Sequence, residues 1–517
     1  MAKTRPNLLF IMPDQLRHDF LSCYGAGFIE TPNIDSIGEE GVRYNNCYSG
    51  SPICVPARTT LLTGMNAIRT GVLDNLHGLR LDHEKAGIRT WPAILSNAGY
   101  CTAGIGKMHF YPWDALHGFD RRVICEDKLW ATIRDDYYHY LKDHGLKKFT
   151  WKEYGGYAQE FGSAYTDMPW EHSWDRYTGK EACRFIDEYS EDQPFAIMVG
   201  FTGPHDPYDP SDDFPVKYDP DDMPAPIPAA KGDPAGLMAR RKREYREVGM
   251  NLEEFTERHA RINRARYAGL VKQIDHEVGD ILESLRRRGM LDHTVVIFAS
   301  DHGDLLGDHG MPGKNLFFEG SAHVPLLVRM PGGPRGAVCD DLVELRDVTA
   351  TLLSLGGCEI PSNMDAQPIP ALDLDDTPPR QRVFGFLRGG WMAFDGRWKL
   401  CRYYASEAPL LYDLKTDPME QNNVADDPAN REVRNRLEME LTRELMDSIE
   451  HAMHDRLPAP RSLALDESFG MKGWNWDYPM PATEAAKVRR DAQLAGKARA
   501  RNSGRCPGTA MFDFGFV

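Results

Sequence analysis

Short unbroken apolar runs recur along the chain, separated by longer stretches with helical spacing. Asn7–Met12, Phe195–Phe201, Thr294–Ala299 and Leu326–Arg329 are such runs, each closed by Pro, Gly, Ser or Asp. Runs of this length without polar alternation predict strands buried on both faces, as in a parallel sheet. Between Arg261 and Arg287, apolar residues at Tyr267, Leu270, Ile274, Val278, Ile281 and Leu285 keep the period of one helix face. Thr90–Ala98 predicts a helix, with Thr90 as its cap, Pro92 in the first turn and Gly99 beyond the end. Asp175–Tyr189 and Asp347–Leu355 predict two more. Strands alternating with helices give an α/β fold, a large mostly parallel central sheet flanked by helices.

The pattern changes after residue 360. Pro and Asp cluster through 361–379, a composition that predicts a linker. Val383–Leu387, Trp398–Tyr404 and Leu410–Leu414 then predict a small antiparallel sheet, and Val433, Leu437, Leu441, Leu445 and Ile449 a packing helix. Residues 456–517 are rich in Pro, Arg and Gly with isolated aromatics, which predicts an extended tail. The expected division is therefore a catalytic α/β domain over 1–375, a small α+β subdomain over 376–455 and a tail over 456–517. That tail is a candidate oligomer contact in a dimer or tetramer. Residues 207–236, rich in Pro and Asp, predict a surface excursion.

Composition narrows the function. A formal net charge of -16 over 517 residues lacks the basic footprint of a nucleic-acid binder. It leaves room for an anionic substrate, because lysines and a metal ion set the local field of a cleft. The apolar run near Met1 is too short for a secretory leader, and no stretch reaches membrane-spanning length. Ten scattered cysteines without a C-x-x-C pair suit a reducing compartment. The expectation is a cytoplasmic, soluble protein with no membrane partner.

Candidate chemistry sits at the ends of the predicted strands. Asp14 and Gln15 follow the first run, where open α/β sheets bind ligands. Cys54, Pro56 and Arg58 form C-x-P-x-R at the start of an apolar helix, facing a positive dipole end and a guanidinium. A packed structural thiol needs neither neighbour. Lys107 and His109 lie two apart in an extended stretch, so their side chains point the same way. His205 stands between prolines just beyond a core strand, and Asp301 and His302 open Ser-Asp-His-Gly-Asp after another. Lys314 and Asn75 are further candidates, though Asn75 also suits a local turn. Asp14, Gln15, Asp301 and His302 offer mostly oxygen donors and one imidazole, which favours a divalent Mn²⁺ over Ca²⁺.

These stretches together resemble the sulfatase family of the alkaline-phosphatase superfamily. The resemblance rests on C-x-P-x-R at Cys54, on Gly99-Tyr-Cys-Thr-Ala-Gly-Ile-Gly-Lys-Met-His109, on Pro204-His-Asp-Pro207 and on Ser300-Asp-His-Gly-Asp304. It implies that Cys54 is oxidised by a formylglycine-generating enzyme to formylglycine, which joins the metal ligands and whose hydrate is the nucleophile. Ala57 stands where the family more often has Ser. The resemblance further implies that Arg58 holds the hydrate, that Lys107 and Lys314 neutralise the transferring group, that His205 protonates the leaving oxygen and that His109 removes a proton from the hydrate. The implied substrate is a small aryl-type sulfate ester. Gln15 in place of an acid leaves open a phosphonate monoester or phosphodiester hydrolase. Gly106-Lys-Met-His-Phe110, Leu116-His-Gly-Phe119 and Phe317-Phe-Glu-Gly-Ser-Ala322 are similar to choline-sulfatases. Trp113, Trp130, Tyr137 and Tyr138 either line a substrate mouth or pack beneath a long insertion.

Overall fold

A computed structural model describes residues 5–454, apart from 131, 151–152, 165, 231–235, 248, 375, 377 and 404–407. The expected tail, 456–517, lies outside the described residues. The large sheet is built from β1 (Asn7–Asp14), β2 (Val42–Tyr48), β3 (Cys101–Gly106), β4 (Arg121–Ile124), β5 (Phe195–Pro204), β6 (Thr294–Ala299), β7 (Leu326–Arg329) and β8 (Ala337–Glu344). Their order is β4-β3-β5-β1-β6-β7-β2-β8. All neighbours run parallel except β7, which is antiparallel to both β6 and β2.

The unbroken apolar runs become the middle of this sheet. Every residue of β3, β5 and β6 is buried, as is all of β1 after Asn7. Alternate residues of β1 then feed two cores. Leu9 and Ile11 pack with Ile274, Val278 and Ile281 of the long helix Glu257–Arg287 and with Ala182 and Ile186 of the helix Trp174–Glu188. On the opposite face, Leu8, Phe10 and Met12 pack with Leu61, Leu62, Trp91, Leu95, Val348 and Leu352. Each such side chain contributes about 1.5–3 kcal/mol on burial, so the two faces hold the sheet firmly between helices.

The apolar-run reading did not identify β2, β4 and β8. β2 is polar in its middle, with Arg43, Asn45 and Asn46 only partly buried. β4 is a short edge strand, and β8 is an edge strand carrying Asp340 and Asp341 on its exposed side. Edge strands are short or charged because a bare ladder invites another chain, and this removes the apolar signal. Thr90 precedes the helix Trp91–Asn97 as expected, but its hydroxyl donates to the carbonyl of His117 at 2.8 Å and makes no cap bond.

A separate antiparallel sheet follows, β9 (Val383–Leu387), β10 (Gly390–Phe394), β11 (Trp398–Tyr403) and β12 (Leu410–Asp413), in the order β12-β11-β10-β9. The helix Arg431–His454 covers it through Leu437 and Leu441. Within the expected linker, Ile369 and Leu372 are buried in the core of the large sheet. Buried Lys399 on β11 pairs with Glu319, which precedes β7, and at 2.8 Å with Glu420. Phe317 and Tyr48 share a core with Met392 and Tyr403, so the two sheets are joined by apolar packing as well. Among the described residues no helix is long and apolar enough to cross a membrane.

Candidate active site and metal centre

The carboxyl ends of β1, β3, β5 and β6 are adjacent in the sheet, and each delivers one or two polar side chains to the same place. β1 and β6 are parallel neighbours, so Asp14 and Asp301 emerge side by side. Gln15 follows Asp14 with φ 70°, and its backbone N–H donates to Asp301 Oδ1 at 2.9 Å. β3 leaves the sheet at Gly106, which has φ 87° and lies against Gly200 of β5. A Cβ at Gly200 would stand 2.0 Å from the carbonyl oxygen of Lys107, so only glycine lets the two strands close here.

Cys54 opens the helix Cys54–Thr63, all of whose residues are buried. No side chain of this helix caps it. Instead Asn75, arriving from a loop, accepts the Val55 N–H at 3.0 Å and satisfies one donor of the first turn. Asn75 is thus placed as a support of the helix that presents Cys54. One turn on, Arg58 Nε donates to Asp301 Oδ2 at 2.8 Å, and its two terminal nitrogens donate to Asp14 Oδ2 at 3.1 Å and the Lys107 carbonyl at 2.7 Å. One guanidinium therefore ties β1, β3 and β6 to the helix.

Lys107 Nζ lies 2.7 Å from Asp14 Oδ2 and also pairs with Asp127. His109, at φ 59°, turns its Nδ1 towards Asp127 Oδ2 at 3.8 Å, and its ring stands edge-on to Trp130 with centroids 4.6 Å apart. On the other side, Lys314 Nζ donates to Gln15 Oε1 and is hydrogen-bonded to His205 Nε2. His205 Nδ1 donates to the Asp206 carbonyl at 2.5 Å, which leaves Nε2 facing the site. The other end of the Gln15 amide donates to Asp304.

Burial and charge oppose each other throughout. Burial pushes the Asp14 carboxyl up, but Lys107 and Arg58 outweigh it and hold the group well below the carboxylate range. Burial pulls Lys107 down, and Asp127 and Asp14 more than restore it, so its ammonium stays charged. His109 is held well below its ordinary value by burial and by the neighbouring Lys107 charge. His302 is lowered to about 4 by burial. Burial and then Asp14 push the Cys54 thiol up to about 12. The helix dipole and guanidinium at this cysteine are thus overridden. Arg58 is spent on Asp14 and Asp301, and the free thiol is protonated and weakly nucleophilic.

The donor set fits a divalent metal ion. One atom each of Asp14, Cys54, Asp301 and His302 lie within 4.8 Å of one another, and all four residues are buried. His302 Nδ1 donates to the Gly303 carbonyl at 2.8 Å, which fixes the tautomer and leaves the Nε2 lone pair facing Cys54 Sγ at 3.2 Å. Gln15 borders this group with its amide engaged at both ends, by Lys314 and Asp304.

Three acids that shape the site were missed in the sequence. Glu126 accepts from the backbone N–H groups of Met108 and His109 and is itself held by Arg122 at 2.8 Å. Asp127 serves the side chains of Lys107 and His109, and Asp304 accepts from Gln15, Tyr208, Leu306 and Gly313. The signal for Asp304 was present, since it is the last acid of Ser300-Asp-His-Gly-Asp304. Glu126 and Asp127 follow the edge strand β4, which itself left no pattern. Of the four aromatic candidates, Tyr137 is fully buried and packs against Trp174 and Tyr177, so it is a core residue. Trp130 is half-buried beside His109.

The model of the family described as Sulfatase matches residues 6–358, and that of N-sulphoglucosamine sulphohydrolase, C-terminal, matches 390–447. An arylsulfatase of Clostridium perfringens is 31% identical over 388 residues, covering 70% of this chain and 77% of that protein. A choline-sulfatase of Rhizobium meliloti is 30% identical over 451 residues, covering 83% and 84%. The crystal structure of a phosphonate monoester hydrolase of Agrobacterium radiobacter superposes with a TM-score of 0.72 at 25% identity, covering 86% of this chain and 96% of that one.

Proposed function

We propose, from the premise that this chain belongs to the sulfatase family, that it is a hydrolase of small aryl-type sulfate monoesters, dependent on a divalent metal ion and on formylglycine at position 54. The observation that carries the sulfate reading is the pairing of Lys107 and His109 beside Asp14 and Cys54 at the mouth of β3.

Formylglycine at position 54 supplies, as its hydrate, an oxygen nucleophile for sulfur, a part the protonated thiol fills poorly. Asp14, Asp301 and His302, with position 54 and Gln15 beside them, would hold a divalent metal ion, which would supply positive charge at the anion site. The chain's own residues do the rest. Lys107 and Lys314 flank the site from opposite sides and offset the charge of a tetrahedral anion between them. Arg58 fixes Asp14 and Asp301 one turn from position 54, and a guanidinium hydrogen left over from those bonds would hold the hydroxyl groups there. His205, with Nδ1 tied to a carbonyl and Nε2 against Lys314 Nζ, would take a proton from that ammonium and pass it to the leaving oxygen. His109 is held uncharged by burial and Lys107, as a base must be, and takes the remaining proton.

A second reading is a phosphonate monoester or phosphodiester hydrolase. Gln15 and His302, and the likeness to the Agrobacterium radiobacter enzyme, favour it. A choline sulfate substrate is suggested by the Rhizobium meliloti relative and by Trp130, an aromatic face beside His109 suited to a quaternary ammonium. The deciding measurement is kcat/KM of fully converted, metal-loaded enzyme on an aryl sulfate, the matched aryl phosphonate monoester and choline sulfate. Preference for the aryl sulfate supports the leading reading. Preference for the phosphonate ester rejects it.

A further inference from the structure

We infer that the chain carrying Cys54 as a thiol is itself a zinc-binding protein, and that the chemical state of residue 54 selects the metal. The inference rests on the donor geometry of the site and on the thiol, and not on the hydrolysis proposed above.

Four donors of mixed softness converge in the unconverted chain. Cys54 Sγ lies 3.2 Å from His302 Nε2 and 3.8 Å from Asp14 Oδ1. His302 Nε2 lies 3.8 Å from Asp14 Oδ1 and 3.9 Å from Asp301 Oδ2. A tetrahedral Zn²⁺ with ordinary Zn–S, Zn–N and Zn–O bonds has ligand–ligand edges of about 3.4–3.6 Å. These four of the six edges bracket that range, and the two remaining edges, from Asp301 to Cys54 and to Asp14, lie within 4.8 Å, so the donors need only draw together to build the polyhedron.

The surroundings are those of a metal-binding cysteine. The His302 tautomer is already set by the bond from Nδ1 to the Gly303 carbonyl, as in many imidazole–zinc pairs. Asp14 keeps Oδ2 on Arg58 and turns Oδ1 to Cys54 and His302, whereas the Asp301 Oδ2 that faces His302 is the oxygen Arg58 Nε holds, so the guanidinium orients both carboxylates. A dication bound by the sulfur displaces the thiol proton and stabilises the thiolate. A sulfur–imidazole–carboxylate set suits Zn²⁺, whereas a residue 54 that offers oxygen leaves a harder set suited to Mn²⁺ or Ca²⁺. Loss of the sulfur therefore moves the preference away from zinc.

The test uses full-length chain shown by peptide mass spectrometry to carry Cys54 as thiol, stripped of metal, and titrated with Co²⁺ as a spectroscopic stand-in for Zn²⁺. A thiolate-to-cobalt charge-transfer band in the near ultraviolet should rise to one equivalent and vanish when Zn²⁺ is added. It should be absent in Cys54→Ala. The ratio of Mn²⁺ to Zn²⁺ dissociation constants should fall by at least about 10-fold in that variant. The fully converted chain, which lacks the sulfur in the same fold, should show the same fall and guards against misfolding of the variant. No band at saturating Co²⁺, or a metal ratio unchanged when the sulfur is lost, overturns the inference. Sulfate-ester turnover is read separately on the converted enzyme, so either proposal can fail alone.

Discussion

Asp127 Oδ2 stands 3.8 Å from His109 Nδ1 while pairing with Lys107 Nζ, so one buried carboxylate serves both residues of the Lys-x-His segment. His109 Nδ1 has no hydrogen-bond partner of its own. Asp127→Asn keeps the shape and removes the charge that orients Lys107 and favours a proton on Nδ1. The expected result is a fall in kcat of about 10²-fold, the scale of a disturbed general base, with little change in KM. Steady-state kinetics on an aryl sulfate check this, and an unchanged kcat would leave Asp127 a packing residue.

Asn75 offers a cleaner separation of roles. If its work is to accept the Val55 N–H, Asn75→Ala should cost about 1 kcal/mol, as for a lost helix cap. Asn75→Asp should recover most of it, and KM should hardly move. A large rise in KM without loss of stability would instead make the amide a substrate contact.

Arg58→Ala should be severe for folding as well as turnover. It strands Asp14 and Asp301, both fully buried, without their shared guanidinium. Losing one partner of a buried ion pair costs about 3–5 kcal/mol. Saturating Mn²⁺ should return part of that stability, because a dication compensates the same two carboxylates. Urea unfolding with and without Mn²⁺ measures both effects, and equal losses in the two conditions would deny that the carboxylates face the metal.

Stability should also fall on the acid side. Burial first, then His83 and Arg122, lower His117 from 6.5 to about 3, and neither ring nitrogen has a hydrogen-bond partner. Below about pH 6.5 the unfolded chain takes up a proton that the folded chain refuses until about pH 3. The stability this imidazole contributes is complete above pH 6.5 and is lost as pH falls through that window. His117→Phe should remove a single proton from the slope of unfolding free energy against pH between 6 and 4. An unaltered slope would place the titration elsewhere.

How much of this was legible in the sequence follows from what each element needs. β1, β5 and β6 are buried on both faces and had to be written as apolar runs, so their polar ends, Asp14, His205 and Asp301, could be located by position alone. β4 and β8 lie at the edges and carry charge, so nothing in their pattern announces a strand. Asp127 was hidden for the same reason. Its meaning depends on β4 pairing with β3, a contact made only in three dimensions. The thiol of Cys54 shows the limit of local features. A helix start and a nearby guanidinium are legible locally, whereas burial and then the long-range arrival of Asp14, which raise the thiol, are made only by the fold.

Lys399 gives the smaller sheet a part in the larger one. Its ammonium is wholly buried between Glu420, which follows β12, and Glu319, which precedes β7, so pulling β11 away separates it from Glu319. Cutting the chain near residue 375 would thus leave Glu319 without its cation and bare the aromatic ring of Phe317, only a few residues from Lys314. The carboxyl-terminal sheet behaves like the keystone of an arch. Heat or denaturant should therefore melt both sheets in a single transition, and evolution could not exchange this module for another without rebuilding the wall behind Lys314.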